Sequence, residues 1–359
     1  MKRLAIGLLL AVTLAALAAS CGLPYYSQAV WGHGRLLAKR QAISRLLSRS
    51  DLDPELRRRL TLLVEIRDFA SEVLALPDNK SYRQYVELDR PHAVWNVLAA
   101  PELSVAPVEW CFPIAGCVSY RGYFSEGRAQ AYARELSADG LDTYVYGVAA
   151  YSTLGWFADP VLSSFAVWPE MDLAELLFHE LAHQVVYLAG DTAFNESFAS
   201  LVAEVGVERW LEVRAKPASI ADYRRRLLHQ HAFAELVGDY RSRLESAYAG
   251  DGDAEGTAVE KKRLLGELKT AYAERSGSWR TDARYDAWFA QELNNAHLVS
   301  INSYHQLVPG FRELLESCDG ELPRFFAVVA EFAAVSEEQR LRRLATGSEA
   351  MLPCAVKDS

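Results

Sequence analysis

The segment His179–His183, with the sequence HELAH, constrains the fold of this chain more than any other feature. Apolar residues recur around it at helical spacing and a glycine follows, so the sequence predicts one buried helix over residues 173–189. Residues four apart lie on the same helical face, so both histidines can offer a ring nitrogen to one metal ion. Buried ionisable groups are costly unless they are paired or bound to metal. The segment therefore predicts a metal-binding helix at the centre of the fold.

A third ligand is expected from the next predicted helix, over residues 193–213. Catalytic zinc normally takes three protein ligands and leaves one position open. Glu196 lies near the start of this helix, and a turn at Gly190 would bring it back antiparallel to the first. We therefore expect Glu196 to complete a site for one Zn²⁺ per chain with His179 and His183. Two histidines far along the chain, His229 and His231, are the alternative ligands, although surface or capping positions suit them better.

Three neighbours of these ligands have predicted roles. Glu180 is rotated out of the ligand face, where it can take a proton from an attacking water and pass it to a leaving amine. Metal-bound histidines usually donate their other ring N–H to a carboxylate or carbonyl, so Asp191 and Asn195 are candidates to support them. The alternative for Asp191 is that it caps the second helix.

A hydrogen-bond donor is also expected beside the metal, because hydrolysis develops negative charge on the carbonyl oxygen. Tyrosine or histidine commonly supplies it. Tyr304 is favoured over His305 and Tyr151, because it belongs to the helical half of the chain that is expected to face the cleft.

The segment 144–155 alternates β-forming residues directly before the metal-binding helix. A strand in this position predicts an edge that pairs with an extended peptide, with Tyr151, Ser152 and Thr153 as its contact residues. The alternative is an internal strand followed by a turn.

The whole pattern predicts an α+β fold that is mainly helical. Helices are expected at 27–49, 54–77, 125–138 and over most of the chain after 219, with short strands between 84 and 124 and at 143–148. We expect an N-terminal helical segment at 21–83, a zincin-like catalytic region with a small mixed sheet at 84–215, and a helical half at 216–359 that closes the cleft.

The first twenty residues predict an export signal. A short positive region precedes an apolar run over Leu4–Leu17, and small residues then lead directly to Cys21. This is the pattern of a bacterial lipobox, so we expect lipid on Cys21 and stable anchoring to a membrane. Gly22 favours the outer membrane, with the protein facing the periplasm. The alternative is a secreted protein with an incidental cysteine.

The remaining cysteines agree with an exported protein. Four of the five are left once Cys21 is set aside, an even number that is typical of disulfides. The simplest of the three possible connectivities joins Cys111 to Cys117 and Cys318 to Cys354. The formal charge is −9 and no basic block occurs, so a nucleic acid is not expected as a partner.

Several longer motifs together resemble a known family. They are residues 110–124 (WCFPIAGCVSYRGYF), 150–156 (AYSTLGW), 178–184 (FHELAHQ), 194–199 (FNESFA), 294–296 (NNA) and 307–311 (LVPGF). The chain is similar in these segments to a bacterial family of predicted zinc aminopeptidases, which are gluzincin-type metallopeptidases and often lipoproteins. The resemblance implies a gluzincin fold with His179, His183 and Glu196 as zinc ligands and Glu180 as the base.

We therefore expect a zinc-dependent peptidase that acts on peptide substrates, an aminopeptidase in preference to an endopeptidase. The Gly-Ala-Met-Glu-Asn strand of well-studied zinc aminopeptidases is absent from the sequence, which leaves the position of cleavage open. Two alternatives stand beside this expectation. One is a lipoprotein scaffold that keeps the fold without catalysis, and the other is a hydrolase of a non-peptide amide in the cell envelope.

Overall fold

The computed structural model describes residues 23–112, 116–150, 152–153, 157–250, 252–276, 283–301, 307–345 and 354. Of the residues singled out in the sequence, Cys21, Tyr151, Tyr304 and His305 lie outside these ranges. The described chain is mainly helical and carries three small sheets, in agreement with an α+β fold. None of its described helices combines the length and the apolar character needed to cross a bilayer.

The helices follow the predicted pattern with two corrections outside the segment that carries the histidines. They are α1 (Leu23–Ala38), α2 (Ile43–Leu47), α3 (Pro54–Glu72), α4 (Glu126–Ala138), α5 (Ser163–Ala166), α6 (Glu170–Ala182), α7 (Thr192–Val213), α8 (Pro217–Tyr248), α9 (Ala254–Ser276), α10 (Ala283–Phe289), α11 (Asn295–Ser300), α12 (Val308–Ser317), α13 (Leu322–Glu331), a 3₁₀ turn (Phe332–Ala334) and α14 (Glu337–Arg343). The helix predicted over 27–49 is interrupted, because Gln41 and Ala42 pair as a strand. The helix predicted over 54–77 ends at Glu72, and Ala75 then adopts a left-handed φ of 54°.

The strands form three separate sheets rather than one. They are β1 (Gln41–Ala42), β2 (Gln84–Val86), β3 (Val94–Pro101), β4 (Trp110–Phe112), β5 (Gly116–Val118), β6 (Arg121–Tyr123), β7 (Leu141–Val148) and β8 (Val161–Leu162). The first sheet, β1–β2–β8, is mixed, the second, β6–β3–β7, is antiparallel, and β4 and β5 form a hairpin. Short strands were predicted between 84 and 124, but none forms at 105–108, although Val108 donates a backbone hydrogen bond to Ala99.

The main core is built where α6 packs against α7. Leu177, Phe178 and Leu181 of α6 are fully buried against Phe198 of α7. Gly206 permits this close approach, because a Cβ atom there would lie 2.6 Å from the ring of Phe178. The two helices that carry the predicted ligands are therefore held together by packing that tolerates little change.

A second core joins α8, α9 and α10 through residues such as Leu244, Leu268 and Trp288. The helical half contacts the antiparallel sheet through α11. Asn295 donates hydrogen bonds to the carbonyls of Pro101 and Glu102, which buries its amide completely. This contact fixes the second core against the end of β3.

Two disulfides are present, and their pairing is the one that the spacing favoured. Cys111–Cys117 closes the β4–β5 hairpin, and Cys318–Cys354 ties the C-terminal segment to the end of α12. Arg324 reinforces the second link by donating a hydrogen bond to the carbonyl of Cys354.

Candidate metal centre and its cleft

The metal-binding helix is shorter than predicted. It begins at Glu170 and ends at Ala182, with His183 as its C-terminal cap, rather than continuing to residue 189. The chain turns after His183, and farther along this turn the side-chain amide of Asn195 takes both backbone groups of Leu188, which a continuing helix would have used. The early end of α6 gives the chain room to return, so that α7 begins beside the histidines.

Three side chains from these two helices converge. Nε2 of His179 lies 3.1 Å from Nε2 of His183 and 3.2 Å from a carboxylate oxygen of Glu196. Nε2 of His183 lies 3.6 Å from the other oxygen of Glu196. All three donor atoms lie within 4.8 Å of one another, so this group can hold a metal ion.

The chemistry of the donor set fits a catalytic zinc site, for which two imidazoles and one carboxylate are a familiar combination. Burial lowers the pKa of His183 to about 4, with the nearby His179 adding to the effect, so its ring is neutral at neutral pH and its nitrogen can ligate. Burial also acts to lower the pKa of His179, but the hydrogen bond and charge of Glu196 outweigh it and the net shift is upward. Glu196 therefore stabilises a positive charge beside the two histidines, as expected of a carboxylate that binds a metal ion.

Glu180 lies beside these three side chains and lines the same cleft. Burial raises the pKa of its carboxyl group, the charge of His179 lowers it, and the charge of Glu196 raises it. Ser152 makes a hydrogen bond to Glu180 that favours the ionised form. A carboxyl group whose pKa is raised toward neutrality suits a general base.

Ser152 and Thr153 do not form the predicted substrate-binding strand. They follow the end of β7 in irregular structure, because both are engaged by Asp159. Thr153 donates to Asp159 from its backbone N–H at 2.9 Å and from its hydroxyl at 2.8 Å, and Ser152 also bonds to Asp159. Asp159 is 1% exposed, and burial raises its pKa to about 6. Ser152 therefore links Glu180 to a buried carboxyl group.

Asp191 and Asn195 fix the loop between the ligands rather than the histidine rings. Asp191 caps α7 by accepting a hydrogen bond from the backbone N–H of Phe194, and it accepts two more from Arg340. Asn195 binds the backbone of Leu188. Neither reaches Nδ1 of His183, which has no hydrogen-bond partner within the described part of the chain.

The cleft beside the metal ligands is a cavity of about 370 Å³. Apolar side chains form much of its wall, namely Val94, Phe112, Val118, Phe124 and Val148. The β4–β5 hairpin contributes two of them and rests on the turn before α7: a Cβ atom on Gly116 would lie 2.7 Å from the backbone nitrogen of Gly190. The side of the cleft that faces the ligands is therefore suited to an apolar group.

Two tyrosines in this cleft were missed by the sequence reasoning. Tyr120 is 39% exposed, yet the surrounding protein atoms raise the pKa of its phenol by desolvation, and Tyr146 and the carboxylates of Glu196 and Glu180 add to the shift. Burial and the charge of Glu196 likewise raise the pKa of Tyr187, whose ring lies 6.1 Å from that of His183. Both phenols are protonated donors at neutral pH. Tyr120 stands in the motif 110–124, and Tyr187 was hidden by the assumption that the helix continued past it.

The C-terminal half borders a different cavity, of about 860 Å³, which His179 also lines. Arg226 of α8 bridges Asp172 and Glu175 there. Described residues after 216 take no part in lining the smaller cleft, where the N-terminal helix α1 contributes Tyr25 instead. The alternative ligand His231 lies against Glu204, away from the metal ligands.

Comparison with known proteins gives one match. A family model described as "Putative aminopeptidase" matches residues 24–344, which include α1, all three sheets and every residue of the metal centre. No curated protein and no solved structure matches the chain.

Proposed function

This chain belongs to the family described as "Putative aminopeptidase", and we propose that it is a zinc-dependent peptidase with Glu180 as its general base. One observation carries the proposal. His179, His183 and Glu196 bring three ligand atoms within 4.8 Å of one another, and the half-buried carboxyl group of Glu180 lies in the same cleft. The approach of a carboxylate from a second helix supports a ligand role for the two histidines of the HELAH segment.

A zinc ion held by the three ligands would lower the pKa of a water molecule to about 7 and polarise the substrate carbonyl. Glu180 accepts the proton of the attacking water and later delivers it to the leaving amine, since its pKa is raised by burial. Ser152 holds the carboxylate of Glu180 in place through its hydrogen bond. Tyr120 donates a hydrogen bond to the carbonyl oxygen as negative charge develops there.

The same site supports cleavage next to an apolar residue. Phe112, Val118 and Val148 line the cleft that Glu180 faces, so an apolar side chain beside the scissile bond would be buried there. The proposal that cleavage occurs at the free N-terminus rests on the family description.

The proposed location is the cell envelope. The lipobox pattern ending at Cys21 supports a lipid anchor, and Gly22 favours the outer membrane with the enzyme facing the periplasm. The disulfides Cys111–Cys117 and Cys318–Cys354 suit an oxidising compartment of this kind.

The test uses the mature chain loaded with zinc and two peptide libraries, one with free and one with acetylated N-termini. We expect single residues to be released from the free library, with apolar residues preferred. A chelator should abolish the activity and added Zn²⁺ should restore it. Glu180→Gln should lower kcat by about 10²- to 10⁴-fold while one zinc per chain stays bound.

Other outcomes would change the assignment. Zinc binding without turnover of either library would favour a scaffold, and turnover confined to a non-peptide amide of cell-wall material would favour the third hypothesis. Equal cleavage of both libraries would make the enzyme an endopeptidase. Full activity of Glu180→Gln would remove Glu180 from the mechanism.

A further inference from the structure

Helix α1 carries an apolar face that the rest of the described fold leaves uncovered. Tyr26, Val30 and Trp31 are 42%, 73% and 76% exposed, and they lie within two turns of one another. Together with Gly34 and Ala38 they border a shallow cavity of about 740 Å³. Large apolar side chains grouped in this way mark an interaction surface more often than isolated ones do.

The opposite side of α1 shows that the helix is an integral part of the protein. Gln28 and Leu36 are buried, and the ring of Tyr25 packs against Phe112 and Tyr123. Tyr25 also lines the catalytic cleft. The helix is therefore held firmly on one side, and its apolar face points away from the core.

The position of α1 in the sequence limits what can cover that face. Cys21, the proposed lipidation site, precedes the first residue of α1 by two positions. Two residues span at most about 7 Å, and a helix rises about 1.5 Å per residue, so Tyr26 lies within roughly 12 Å of a lipid-bearing Cys21. If Cys21 carries lipid, the first turn of α1 is therefore held within that distance of the lipid headgroups.

The chemistry of the face suits the same place. Tyrosine and tryptophan are enriched at membrane interfaces, where an apolar ring with a polar edge is stable. Arg35 and Lys39 flank the face, and Arg128 stands across a neighbouring groove. Asp89 approaches Arg35 and Lys39 at 3.6 Å and 3.7 Å, which leaves the surroundings with net positive charge. Such a border attracts anionic lipids.

We propose that the exposed face of α1 lies in the headgroup region of an anionic bilayer. The acyl chains on Cys21 hold the protein to the membrane, and α1 fixes its orientation. Because Tyr25 on the adjoining side of the same helix lines the cleft, the cleft lies about one helix diameter, ~10 Å, from the bilayer. The inference rests on the proposed lipidation of Cys21 but not on peptidase activity.

The experiment measures binding to vesicles without the lipid anchor. The parent protein for the assay comprises residues 21–359 with Cys21→Ser, so it keeps every described residue. It is mixed with vesicles that contain phosphatidylethanolamine and phosphatidylglycerol in a ratio of three to one, and the vesicles are then sedimented. We expect binding that Val30→Glu with Trp31→Glu weakens at least tenfold. The matched control is Val213→Glu with Leu228→Glu, two sites that are 69% and 67% exposed on other helices, and it should bind like the parent.

Three results would overturn the proposal. The first is that the parent protein fails to sediment with the vesicles, and the second is that the α1 variant binds as well as its control. The third is a dimer, detected by light scattering, that the α1 variant alone abolishes, because a second copy would then cover the face. Mass spectrometry of the N-terminal peptide of the native protein provides a separate check, since an unmodified Cys21 would remove the constraint on distance. None of these readouts depends on catalysis, so failure of the peptidase assignment would leave them unaffected.

Discussion

The side-chain amide of Asn195 makes two hydrogen bonds to the backbone of Leu188, accepting one from its N–H and donating one to its carbonyl, each at 2.7 Å. Asn195 is 2% exposed and directly precedes Glu196. The pair therefore closes the loop that connects the last histidine of α6 to the start of α7. It sets the distance at which Glu196 meets His179 and His183.

Removing this link should weaken metal binding. Asn195→Ala leaves two backbone groups of Leu188 without partners and frees the start of α7. We expect the affinity for zinc to fall about 10- to 100-fold, as is typical for residues that orient ligands, with a loss of roughly 1–3 kcal/mol in the free energy of unfolding. Titration against a competing chelator measures the affinity. Asn195→Asp, which keeps the acceptor, should lose less, and equal affinities in all three proteins would contradict this role.

The hydrogen bond between Ser152 and Glu180 gives a second prediction. Ser152→Ala should lower kcat on the order of tenfold, with little change in KM, because the base loses the group that orients it. The bond lowers the pKa of Glu180, so its loss should move the acid limb of the pH–rate profile to higher pH. Zinc content should be unchanged. Ser137→Ala, an exposed serine on α4, is the control, and an acid limb that stays in place would refute the prediction.

The fold class and the three side chains that could hold a metal ion were accessible from the sequence because each depends on local regularity. The spacing of His179 and His183 is fixed by the pitch of a helix, and the return of Glu196 required only a short turn. Asp53 and Pro54 give the start of α3 as predicted, since the Asp53 carboxylate accepts a hydrogen bond from the N–H of Leu56.

The features that the sequence did not reveal depend on contacts between distant residues. After α6 ends at Ala182, the side-chain amide of Asn195 takes the backbone groups of Leu188 and so fixes the turn toward α7. The link from Ser152 to Asp159 and Glu180 draws an apparent strand into irregular structure. No periodicity records contacts of this kind, and a tyrosine that faces a cleft carries no local signal that separates it from a tyrosine in a core.

Tyr120 is the predicted donor to the developing oxyanion. The charges of Glu196 and Glu180 both raise the pKa of its phenol, whereas of these two carboxylates only Glu196 raises the pKa of Tyr187. Tyr120→Phe should therefore lower kcat by about 10²- to 10³-fold with little effect on KM or zinc content. Tyr187→Phe is the matched control in the same cleft. If it carried the loss instead, the role would belong to Tyr187.

Asp159 should make the stability of the protein depend on pH. Burial raises its pKa from 3.8 to about 6, so the folded state favours the protonated form. The stabilisation is fully present below about pH 4 and is lost as the pH rises through about 6. A shift of this size corresponds to roughly 3 kcal/mol.

The amide in Asp159→Asn cannot ionise, so this variant should lose the pH-dependent stabilisation that Asp159 provides. Between pH 4.5 and pH 7.5, the change in the free energy of unfolding should differ between parent and variant by roughly 2 kcal/mol, with the parent losing more stability at the higher pH. Urea denaturation at both values measures it, and titrating groups that do not interact with Asp159 cancel in the comparison. Asp139→Asn, an exposed aspartate at the end of α4, should follow the parent. Parallel pH dependence in all three proteins would show that the hydrogen bonds from Thr153 compensate the buried charge of Asp159.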